Sequence, residues 1–142
     1  MKLAPEHGGY SRSIVRLMGS FKPEGTSAPD VIRDGKSSLI KSVAYNSAGN
    51  FTVTLADHIP LPSKLITARA YVESAAAPTN VCVAHVVVSS YSQSARTFQI
   101  QVIKVGQIGG SAAAPVVSNP DSGDRVGFEL TGSYTSAGTD AA

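Results

Sequence analysis

The sequence predicts an all-β fold, a jelly-roll-like β-sandwich of about seven or eight antiparallel strands with an extended N-terminal arm. Three observations predict it. Apolar and polar residues alternate with the period of a half-buried strand in several segments, most regularly where Phe51, Val53 and Leu55 alternate with Thr52 and Thr54. Turn residues separate these segments at spacings too short for crossover helices. Hydrophobic residues make up 42% of the chain, much of it Ala and Val rather than Leu, and Trp is absent, which suits thin packed sheets better than a helical bundle. At 142 residues there is room for one domain, which at this size buries about two-thirds of the surface exposed by the unfolded chain. The expected organisation is an arm and first strand over residues 1–30, a sandwich over 31–135 and a flexible tail over 136–142.

Residues 1–12 have no apolar period and contain Pro5, Gly8 and Gly9, so they read as the arm. Residues 14–21 admit two periods. Ile14, Leu17, Met18 and Phe21 fit a helical face, Val15, Leu17 and Phe21 fit alternation, and Gly19 with Ser20 decides for a strand. Residues 22–29, KPEGTSAP, form a breaker-rich loop. Val31, Ile32 and Arg33 read as a short strand or edge piece, ended by the turn pair Asp34-Gly35.

Residues 40–44 pair back on 51–55 as a hairpin whose turn lies within 46–50, with Gly49 free to take a positive φ. Pro60 and Pro62 close its second strand, because each removes a ladder donor. In residues 65–73, Ile66, Ala68, Ala70 and Val72 form one face and Thr67, Arg69, Tyr71 and Glu73 the other. Residues 81–89, VCVAHVVVS, are apolar on both faces and β-branched, and read as a central strand covered on two sides. Residues 97–105 turn Phe98, Ile100 and Val102 inward. Residues 106–124, rich in Gly, Ala, Pro and Ser, make a long loop, either functional or mobile. Residues 125–133 form the last strand, with Val126, Phe128 and Leu130 on one face and Gly127 marking a bulge or a close approach.

Charge is sparse and nearly balanced, with 12 Lys and Arg against 10 Asp and Glu, too weak a field to argue for nucleic acid. It is not evenly spread: residues 1–69 hold nine basic and five acidic side chains, residues 70–142 three and five. The start, MKLAPEHGG, has no apolar signal region, and no run reaches the length of a membrane span, so synthesis in the cytoplasm and no membrane contact are expected. The single Cys82 has no partner for an internal disulfide.

No constellation of residues carries chemistry. His58 follows Asp57 directly, and consecutive strand residues point to opposite faces. His85 and Cys82, three apart, fall on opposite faces for the same reason, which leaves Cys82 a small buried hydrophobe and His85 a core or interface residue. The serines include no G-x-S-x-G elbow. Asp121 and Asp124, in NPDSGD, resemble alternating calcium ligands, but the twelve-residue loop with its terminal Glu is absent and an Asx-type turn is the alternative. Arg69 and Tyr71 share a face with Thr67, a single partial match to a nucleic-acid surface. No enzyme, cofactor or metal is expected.

The stretches KSVAYNSAGNFTVTLAD (41–57), TFQIQVIKVG (97–106) and DRVGFELTGS (124–133) resemble small structural proteins of tailed-bacteriophage particles, a likeness of texture covering about residues 30–135. The resemblance implies a non-enzymatic virion protein, made in the host cytoplasm, that binds major capsid protein subunits on the outside of the shell as a cement or decoration protein. It also leaves a tail, neck or fibre component open, and a carbohydrate-binding sandwich is a third reading. A symmetric homo-oligomer, a trimer by preference, fits a role in which several weak contacts add. The unpatterned start and the basic front half make the arm the expected docking segment, with Arg12, Arg16 and Lys22 as charged contacts and Ile14 and Leu17 as anchors.

Overall fold

The computed structural model describes residues 14–31, 39–107 and 114–133. Eight strands make up their regular structure: β1 (Ile14–Phe21), β2 (Ile40–Ser47), β3 (Asn50–Leu55), β4 (Lys64–Glu73), β5 (Asn80–Ser92), β6 (Thr97–Gln107), β7 (Val116–Val117) and β8 (Arg125–Ser133). They build an all-β sandwich of two antiparallel sheets. One has the order β1-β8-β4 and the other β2-β3-β6-β5, with β7 added to β6. The hairpins β2–β3 and β5–β6 stand side by side in one sheet.

Strand alternation produces the core directly. Phe51, Val53 and Leu55 of β3, Phe98, Ile100 and Val102 of β6, and Val126, Phe128 and Leu130 of β8 are all fully buried, while the residues between them face outward. Two edge-to-face aromatic pairs cross the sandwich, Phe21 with Phe51 at 5.3 Å between ring centres and Phe98 with Phe128 at 4.9 Å. Each joins a strand of one sheet to a strand of the other, and such pairs add about 0.5–1.5 kcal/mol to the burial of their area.

The β2–β3 hairpin closes through Ala48 and Gly49, with Ser47 opposite Asn50 and Gly49 at φ +76°. Its turn is roofed. β3 covers β6 only from Thr97 to Gln101, and β7 takes over beside Ile103 and Lys104. At the hand-over Val102 N donates to Gly49 O at 2.7 Å and Ser118 N donates to Val102 O at 3.1 Å.

Four features depart from expectation. β1 pairs along its whole length with β8, from Ile14 opposite Ser133 to Phe21 opposite Val126, so the sandwich includes residues 14–21 rather than starting at 31. In β4 the ladder slips between Leu65 and Thr67. That bulge turns Leu65 inward and leaves Ile66 exposed, while Ala68, Ala70 and Val72 keep the expected inner face. β5 is the last strand of its sheet and not a central one. Its outer face is uncovered, so Val81, Val83 and His85 are exposed, and β6 takes the middle position. Within the segment 106–124 expected as a loop, Gly106 belongs to β6 and Val116 and Val117 form β7. Gly127 marks a close approach, since a Cβ there would lie 2.3 Å from the ring of Tyr71, directly opposite on β4. Val31 is buried but lies in no strand, against the expected short strand or edge piece; Ile32, Arg33, Asp34 and Gly35, the arm 1–12 and the tail 136–142 lie outside the described residues.

Candidate partner-binding surface

The outer face of the β1-β8-β4 sheet gathers the chemically richest side chains of the described residues. Alternation and register place them: Ile14, Arg16, Met18 and Ser20 on β1, Gly127, Glu129 and Thr131 on β8, and Thr67, Arg69 and Tyr71 on β4. Glu129 stands opposite Met18 on one side and Arg69 on the other. Both nitrogens of the Arg16 fork donate to Glu129 Oε2, Nε and Nη2 each at 2.6 Å. Arg69 donates to Oε1 from Nε at 3.0 Å and Nη2 at 2.8 Å. Hydrogen bonds from Arg69 first, and then from Arg16, hold the Glu129 carboxyl below the usual carboxylate range. Around this clamp stand exposed apolar groups: Ile14, Met18, Ile66 and the Tyr71 ring, which lies over Gly127. Arg125 joins the face by donating to Ser20 Oγ from Nε and Nη2.

The opposite outer face differs in kind. Thr52, Thr54, Gln99, Gln101, Ser42 and His85 line the β2-β3-β6-β5 sheet with polar, formally uncharged groups, and Val83 adds apolar area. Asn50 and Gln101 hydrogen-bond across it at 3.1 Å.

At one end of the sandwich side-chain hydrogen bonds stitch the polar loops together. Asn119 accepts from Gly49 N at 2.8 Å and donates to Gly25 O at 3.1 Å, which ties three segments together. Asp121 accepts from the backbone and side chain of Thr79 and of Asn80, the shortest contact being 2.6 Å from Asn80 Nδ2. These donors, Asn80 first, lower its carboxyl pKa. Asp124 is buried, its Oδ1 accepting from Ala75 N at 3.0 Å and its N donating to Asp121 O. Both carboxylates therefore clamp distant loop segments, at residue 75 and at residues 79–80, and do not close the expected Asx-type turn. Among the described residues no group of three or more His, Cys, Asp and Glu comes together as metal ligands. An open cleft of about 450 Å³ lies between residues 22–25 and 119–123. Asp57 pairs with Lys41 at 3.2 Å and not with His58. Cys82 is half-buried, and burial first, then Asp121, raises its thiol pKa.

Of the residues expected to contact a partner, Ile14 and Arg16 lie together on the charged face. Leu17 lies between them and Met18 on the strand, faces the core at 8% exposure and is no surface anchor. Alternation alone requires this once residues 14–21 form a strand. Lys22 is exposed and lines the end cleft, away from the sheet face. Arg12 lies outside the described residues. The sequence reading paired Arg69 with Tyr71 but did not bring them to Arg16, because the partnership runs through Glu129 on a strand more than a hundred residues from β1. No family model matches the chain, and no curated protein or solved structure matches it.

Proposed function

We propose that the protein is a non-enzymatic structural component of a tailed-bacteriophage particle, a cement or decoration protein that binds the outside of the capsid and stabilises it. The observation that carries this reading is where the interactive groups lie. Arginine, tyrosine, methionine and isoleucine are exposed on the outside of the β1-β8-β4 sheet, whereas the loop carboxylates are consumed in clamping the chain. An exposed face of this composition serves protein association better than it serves turnover of a small molecule. The likeness of 41–57, 97–106 and 124–133 to phage structural proteins points the same way. Capsid subunits are the proposed partners, and assembly as a homo-oligomer, a trimer by preference, would multiply weak contacts.

Antibody raised to the recombinant protein and detected with gold on purified particles tests the reading. Label over the whole shell is expected. Label confined to a vertex, the tail or fibres would replace cement with the alternative of a tail, neck or fibre component, and unlabelled particles would sink both.

A further inference from the structure

Resting on that reading, we infer that the outer face of β1, β8 and β4 is the docking surface and that its occupant is an acidic protein surface with an apolar centre. Charge selects the partner. Arg16, Lys64, Arg69 and Arg125 face outward on this sheet against Glu73 and Glu129, a net charge of +2, while on the opposite sheet the exposed Lys41, at the β2 bulge, is paired with Asp57 and adds no net charge. A second copy offering the same face would bring like charges together, and the central carboxylate is already held by two guanidinium groups. The two forks are oriented by Glu129 yet remain largely exposed, at 64% and 74% of the side chain. Planar donors held in this way match carboxylates directionally, a geometry that a fluid anionic lipid surface does not exploit.

The apolar part sits where an interface core belongs. Met18 (59% exposed), Ile66 (57%), Ile14 and Tyr71 (both 44%) surround the arginine clamp. Interfaces are enriched in Tyr, Met and Arg relative to the remaining surface. Tyr71 is a ready anchor, because the missing side chain at Gly127 lets its ring lie down on the sheet.

The footprint limits the contact that one copy makes. Three strands about 4.8 Å apart and about 26 Å long give a face of roughly 400 Å², about half of the ~800 Å² per partner in a standard interface. One copy alone therefore binds weakly, and firm attachment requires several copies acting together.

The test uses particles depleted of the protein and re-supplied with the purified full chain, with co-sedimentation measuring what binds and thermal melting confirming the fold. Wild type and the opposite-face variant Val83→Thr/Gln99→Ala are expected to rebind, and Met18→Thr/Tyr71→Ser to lose at least about tenfold in affinity, with rebinding of wild type weakening as salt rises. If the double variant unfolds, Ile66→Ser, at the bulge, replaces it. Wild type binding with the face variants unimpaired would overturn this face and leave the capsid role intact. Wild type failing to bind would overturn both. Self-association of wild type abolished in Met18→Thr/Tyr71→Ser would identify a second copy as the occupant, and binding to phosphatidylserine vesicles without binding to particles a membrane; either result overturns the inference.

Discussion

Gly49→Ala is expected to be among the most damaging single-methyl additions in this protein. Gly49 sits at φ +76°, and an added Cβ would lie 2.7 Å from both Ser118 N and Val102 O and 2.8 Å from Val117 Cγ1. Two of these three neighbours are backbone, so the contact is not relieved by a rotamer change. The left-handed conformation costs an alanine about 1–2 kcal/mol. Parting the turn from residues 117–118 then loosens the Gly49 N to Asn119 and Val102 N to Gly49 O hydrogen bonds, at about 0.5–1.5 kcal/mol each. The sum is about 2–5 kcal/mol against a typical total stability of about 5–15 kcal/mol, or a melting temperature lower by roughly 10 °C in a domain of this size. Two other glycines supply the controls. Gly25 has φ +63° but nothing within 4 Å of its Cβ, so Gly25→Ala carries only the conformational part, about 1 kcal/mol. Gly106, in β6, has open space and no positive φ, and alanine there is expected to be neutral or to stabilise by about 0.5 kcal/mol. Calorimetry on the three variants is the assay. Gly49→Ala melting within about 2 °C of Gly25→Ala would refute the argument from the roof of the turn, leaving backbone handedness as the whole effect.

Acid is expected to weaken the fold through Asp121 and Glu129. Both folded-state pKa values lie below the ordinary range, so their contribution is complete above the unfolded values near pH 4 and is lost as pH falls through the lower folded values; Asp121→Asn should flatten the melting-temperature profile on that acid limb. Arg96→Ala is expected to destabilise by about 2–3 kcal/mol, because Arg96 Nη2 donates to the carbonyls of Ala56 and Ile59 and ties down the chain between them. Arg96→Gly should be about 1 kcal/mol milder in urea titrations, since Arg96 has φ 63° and glycine adopts it freely. Gly127→Ala displaces the Tyr71 ring, so a double-mutant cycle with Tyr71→Ala should give a coupling of about 1 kcal/mol; additive effects would mean that the ring and the glycine do not depend on each other.

Alternation made the interior legible. Residues 51–55, 97–105 and 125–133 each announce which side chains turn inward, and Phe51, Phe98 and Phe128 are buried as that pattern requires. Gly127 was readable as a close approach for the same reason, since a glycine inside a strict alternation needs an explanation. Residues 81–89 were misleading: a run of β-branched residues fits any pleated surface, covered or not, so sequence could not tell the exposed Val81 and Val83 of an edge strand from the interior of a sheet. The bulge at Ile66 was hidden because one extra residue reverses every side chain before it and leaves no compositional trace. The candidate surface was only half legible. Its β1 and β4 members could be seen strand by strand, but Arg16 and Arg69 meet at Glu129 only because β8 lies between β1 and β4, a strand order that local pattern does not encode.

The same alternation separates the core from the outer face along each strand of the three-stranded sheet. On β8, Phe128 is fully buried against Phe98 while its neighbour Glu129 faces outward between two arginines. Truncating Phe128 to alanine removes core volume at about 3–5 kcal/mol, enough to consume much of the stability of an ordinary domain. Exposed Met18 and Tyr71 lie outside that core, and surface substitutions of their kind usually change stability by no more than about 0.5 kcal/mol. The two sets are one residue apart in sequence and on opposite sides of the sheet. Substitution at the exposed Ile14, Met18, Ile66 or Tyr71 therefore changes the outer face with little penalty to folding, whereas a change of register by one residue would exchange the two sets and destroy both. The buried face of β1 and β8 specifies their register, which runs without a bulge from Ile14 opposite Ser133 to Phe21 opposite Val126.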